Sequence, residues 1–172
     1  MRKLNKTIFL SVLVAVGLAL SVLESAIPLP IAFPGAKLGL SNMVVLVSLV
    51  VFGFKDGITV SVLKSIVLVL VTGSVSSFIY SFSGAILSCI IMYLGYRFFQ
   101  SVFSIIGISI LGALAHNFAQ VTVAAFIMSN LKIYTYLPFL MLTSLFSGYF
   151  VGLASSFIIK NLKVSFNIIF RR

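Results

Sequence analysis

The chain has 172 residues, of which 61% are hydrophobic and only 8% charged, with a mean hydropathy of +1.26. That balance excludes an ordinary soluble domain, and apolar runs recur so continuously that no soluble domain has room beside them. The formal net charge of +10 fits Lys and Arg facing an anionic inner leaflet, and is not evidence for nucleic-acid binding.

The apolar runs predict an all-α, single-domain membrane bundle with spans at roughly 7–26, 38–54, 57–73, 77–99, 103–128 and 137–160. Span one follows Arg2, Lys3 and Lys6; it is too long for a signal peptide and lacks a small-residue cleavage site, so it reads as a retained span. Within it Ala15, Gly17 and Ala19 form a small-residue pattern that lets a second helix approach closely, either a partner or a neighbour in the same bundle. Near its outer end Glu24 is either a ligand contact, an interfacial residue or a neutraliser for a buried lysine.

The connection IPLPIAFPGAK follows. Pro28, Pro30 and Pro34 stop span one from continuing, and Gly35 permits a sharp re-entry, which suits a lid over a pocket as well as a plain connector. Lys37 and Asn42 then enter with span two, with Gly39 allowing close backbone approach between them. Lys37 sits near enough to the surface to snorkel, so water and ligand both remain open as its partner. Lys55-Asp56-Gly57 is expected to turn the chain from span two into span three.

Lys64 is the sharpest anomaly, because a lysine at mid-span costs roughly 2.5 to 3.5 kcal/mol unless it faces a cavity or a partner. Breaks are expected at Thr72 to Ser77 and at Ser129 to Tyr136, on either side of spans four and five. Cys89 in span four is the only cysteine, which rules out an intrachain disulfide or a thiolate metal cluster. In span five, His116 and Gln120 share a helix face at i, i+4, with Asn117 beside them; such groups line cavities or hydrogen-bond neighbouring helices. Phe82-Ser83-Gly84 and Phe146-Ser147-Gly148 echo each other without establishing a repeat.

With the N-terminus inside, nearly every Lys and Arg outside the spans falls on the cytoplasmic side, leaving Lys132 in an outer loop and Lys37 at the outer mouth of span two, so both termini are expected in the cytoplasm of a multi-pass cell-membrane protein. By residue depth, Lys64 and His116 lie near mid-membrane, with Asn42, Gln120, Lys37 and Glu24 progressively outward. Two lysines against one glutamate favour a small amphipathic anion as ligand.

LESAIPLP, PGAKLGLSN, Lys64 and GALAHNFAQ together resemble the Gx transporter family, also labelled heptaprenyl diphosphate synthase component I. That family is similar to the substrate-binding S components of energy-coupling factor transporters. The resemblance implies six helices, an outward pocket covered by the first external loop, and docking of Ala15 and Ala19 on a transmembrane coupling subunit. It also implies a partner ATPase pair that uses ATP, with no cofactor bound by this chain. The synthase label conflicts with the residues: prenyl diphosphate synthases hold magnesium with paired aspartate-rich motifs, whereas this chain has a single Asp and no Walker A pattern. Autonomous catalysis is therefore not expected, although assistance to a soluble polyprenyl synthase stays open.

Overall fold

A computed structural model describes residues 3–26 and 38–170. Its six helices are α1 (Lys3–Ser25), α2 (Asn42–Phe52), α3 (Phe54–Thr72), α4 (Val75–Phe98), α5 (Ile105–Ile127) and α6 (Leu137–Phe170), with a 3-10 turn at Leu131–Tyr136 leading into α6. No strand occurs among the described residues. Pro28, Pro30, Pro34, Gly35 and Lys37, the core of the expected lid, lie outside them.

Four segments are long and apolar enough to cross a bilayer: α1, α4, α5 and α6 with its preceding turn. This is the build of a multi-pass membrane protein. Of the six helices expected as spans, α2 and α3 fall outside this group. With 11 residues, α2 is about 16 Å long, half of a ~30 Å hydrocarbon core. In α3, Lys55, Asp56 and Lys64 interrupt the apolar run.

The turn between these two helices also differs from expectation. It falls at Gly53, whose φ of 101° and ψ of 178° no residue with a Cβ adopts readily. Lys55, Asp56 and Gly57 instead form the first turn of α3, where the carboxylate is favourably placed against the helix dipole. Gly57 is used for proximity, since a Cβ there would stand 3.1 Å from the Leu49 side chain. The break expected at Thr72 to Ser77 is shorter than predicted: α3 ends on a left-handed Gly73 and α4 begins at Val75. At its far end α6 continues ten residues past the expected stop at 160, because lysines do not break a helix once it leaves an apolar environment.

The half-length α2 occupies the centre, touching α1, α3, α4, α5 and α6. Its composition dictates this position: NMVVLVSLVVF has no polar face to give to solvent, and a helix apolar all round is stable only when surrounded. Val44, Val45, Leu46, Val47 and Leu49 are buried and form the main core with Leu13, Val60, Cys89, Met92 and Ile108. Outside that core, α5 packs on α4 and α6, the latter through small residues; Cβ atoms at Gly148 and Gly152 would come within 2.8 Å of the α5 backbone. An ion pair, Lys6 to Asp56 at 2.8 Å, ties the start of α1 to the start of α3.

Candidate functional site at the buried start of α2

Because α2 and α3 form an antiparallel pair about Gly53, the first residue of the short helix lies opposite the middle of the long one. Ser41 precedes Gly53 by about as many residues as Lys64 follows it, and the two side chains meet: Lys64 Nζ donates to Ser41 Oγ at 2.6 Å. Lys64 is 1% exposed. Its stem passes α1 at Gly17, where a Cβ would stand 3.6 Å from Lys64 Cδ and only 2.7 Å from Val44 Cγ2.

Two residues earlier in the same turn, the Gly39 backbone N–H donates to Glu24 Oε1. Gly39 has φ 81°, a conformation that turns its N–H toward α1 and that a side chain would strain. The turn closes with Asn42 N–H on the Gly39 carbonyl at 2.9 Å and Met43 N–H on the Leu40 carbonyl at 3.1 Å. Glu24 and Lys64 therefore grip opposite ends of a three-residue turn. Their charges offset one another, while the N-terminus of α2 adds a partial positive charge of roughly half a unit to the balance.

Asn42 sharpens that polarity. It is buried, and neither atom of its amide has a protein hydrogen-bond partner among the described residues. Its Nδ2 lies back over Gly39, 3.0 Å from where a Cβ would be. Gln120 on α5 is fully buried with both amide atoms likewise unpartnered. Buried amides without partners are costly, on the order of 1–3 kcal/mol each, and such groups are retained where a ligand or water completes them.

His116 and Asn117 separate in space. The His116 ring packs on α4 at Gly84, where a Cβ would stand 2.7 Å from Nδ1 and from Cε1. Asn117 faces α6, its Nδ2 donating to the Leu140 carbonyl at 3.2 Å and to Ser144 Oγ at 2.7 Å. This is interhelical hydrogen bonding, the alternative reading that membrane amides always carry. Ala15 and Ala19 lie on the exposed face of α1, while Gly17 between them is buried.

The structure thus brings Glu24, Gly39, Asn42 and Lys64 to one turn, and sets His116 and Gln120 on α5, a helix that touches α2. Lys37, Pro34 and Gly35 fall outside the described residues. Sequence reading missed Ser41, Gly84 and Ser144. Serine and glycine are too common in membrane helices to stand out, and only Ser41 carried a signal, its place between Leu40 and Asn42 at the head of a polar-to-apolar switch. The described residues bound several cavities, and only the smaller of the following two borders the start of α2. One of about 190 Å³ is lined by Leu20, Leu40, Met43, Phe150, Val151 and Ala154. Another of about 690 Å³ lies between the end of α5 and the 3-10 turn.

No curated protein and no solved structure gives a match. Residues 13–158, most of the chain, match the family described as heptaprenyl diphosphate synthase component I, and the chain belongs to that family.

Proposed function

We propose that this chain is a membrane-embedded binding subunit that captures a small amphipathic anion from the outer face and passes it on with the help of separate partner proteins. The observation that carries this reading is the start of α2. A helix N-terminus set opposite the middle of α3, beside a buried lysine and a buried asparagine unpartnered among the described residues, is the arrangement that broken membrane helices use for anionic groups.

In the preferred form the partners are a transmembrane coupling subunit and an ATPase pair, as the resemblance to energy-coupling factor S components implies. Ala15 and Ala19 support it, being small, one turn apart on a helix face and exposed among the described residues. Both termini then lie in the cytoplasm and the protein resides in the cell membrane. The segment before Gly39 closes over the ligand, anchored by the Glu24 contact. Binding and hand-over are its work, and ATP is used by the partner.

A second reading is favoured by the family's description. A synthase component implies another component, and the Lys64 and α2 N-terminal cluster suits a diphosphate. Here the chain presents a prenyl lipid to a soluble synthase and remains non-catalytic. Purification from native membranes separates the two. An ATPase pair that co-purifies and is lost in an Ala15→Leu/Ala19→Leu variant supports transport. A synthase whose rate or product length depends on this chain, and on Lys64, supports the accessory role and overturns transport.

A further inference from the structure

The first turn of α2 divides its chemistry between two directions. Ser41 meets Lys64 and Asn42 lies over Gly39, whereas Leu40 and Met43, flanking them in sequence, line the cleft of about 190 Å³ with Leu20 of α1 and Phe150, Val151 and Ala154 of α6. Every described side chain that lines the cleft is apolar, so water inside it has no side-chain partner among them. Among the described residues nothing closes its flank, since the backbone of α1 contacts α2 and α3 but not α6. Phe150 stands 65% exposed at the opening.

We infer that the anion held at the head of α2 carries a hydrocarbon tail, and that this tail lies between α1 and α6 with its end toward the bilayer. The inference rests on the binding role proposed above and narrows it from small amphipathic anions in general to tailed ones. Charge and polarity complement such a molecule along its length: a cationic helix start for a carboxylate or phosphate head, then an apolar wall beginning one residue away. Volume sets the scale. A dry apolar cavity of about 150 Å³ takes a six-carbon ring, so this cleft takes a segment on the order of six carbons. A compact water-soluble anion would leave it empty.

The full chain in lipid nanodiscs, titrated with alkyl phosphates and alkyl carboxylates from one to eight carbons, tests this, with empty nanodiscs as the partitioning blank. Protein-dependent affinity should rise by up to about fourfold per methylene while the cleft fills, then level off. Ala154 is exposed, so Ala154→Phe can fill the cleft without disturbing the core; it should abolish the chain-length dependence and leave the one-carbon anions unaffected. Leu20→Phe, which narrows the cleft from α1, should act in the same way. Equal affinity for short and long members, or a slope that survives both substitutions, overturns the tail and leaves the anion site standing. Binding of every member unchanged by Lys64→Gln removes the anion site as well.

Discussion

Gly84→Ala offers the cleanest test of how α4 holds His116. A Cβ at this position would stand 2.7 Å from His116 Nδ1 and Cε1 and 3.0 Å from Cγ. Ordinary contact begins near 3.4 Å, so the ring must retreat by about 0.7 Å (3.4 minus 2.7). Overpacking of this kind costs about 1–3 kcal/mol, against a gain of up to about 1 kcal/mol from replacing a helical glycine. Gly95→Ala, in the same helix, isolates the first effect. Its nearest neighbours would be Ile108 Cγ1 at 3.6 Å and Leu111 Cδ1 at 3.8 Å, so only the propensity gain applies. Unfolding in mixed detergent micelles should therefore find Gly84→Ala less stable than Gly95→Ala by about 1–3 kcal/mol. Adding His116→Ala should cancel most of the difference, giving a coupling free energy of similar size. Equal stability of the two glycine variants, or no coupling to His116, would refute this packing.

Asn117→Ala removes the bonds to Leu140 and Ser144 and should cost about 1–3 kcal/mol by the same unfolding assay, while ligand affinity stays within twofold; a selective loss of affinity would return Asn117 to the binding site. Ala15→Leu/Ala19→Leu should leave stability within about 0.5 kcal/mol, as expected at exposed positions, yet reduce association with the coupling subunit; a large destabilisation would mean that this face is packed within the chain. Lys6→Ala breaks a partly exposed ion pair with Asp56 and should cost no more than ~1 kcal/mol, less at high salt.

Helix count was legible because hydropathy alone decides where a chain can enter lipid, and the interruptions at Pro28 to Gly35 and at Gly73 are chemically loud. Helix length at α2 was not, since VVLVSLVV reads as apolar whether it crosses a bilayer or fills a core. The turn at Gly53 was hidden by the louder Lys55-Asp56-Gly57, whose charges mark a surface but whose backbone is helical. Among the polar residues, Glu24, Asn42, Lys64, His116, Asn117 and Gln120 are all buried, and their rarity in lipid is what made them visible. Their directions were not visible. His116 and Asn117 are adjacent in sequence, and the helical rotation of about 100° per residue sends one to α4 and the other to α6. Pairing of Lys64 with Ser41 depends on where α2 starts, which sequence could place only within a few residues.

The central claim is that an anion binds at the start of α2 beside Lys64. Native mass spectrometry of the protein extracted in its own lipids, wild type against Lys64→Gln, tests it most directly. The wild type should retain an anionic small molecule that the folded variant has lost. An empty wild type, or the same adduct at the same occupancy in both proteins, would contradict the account.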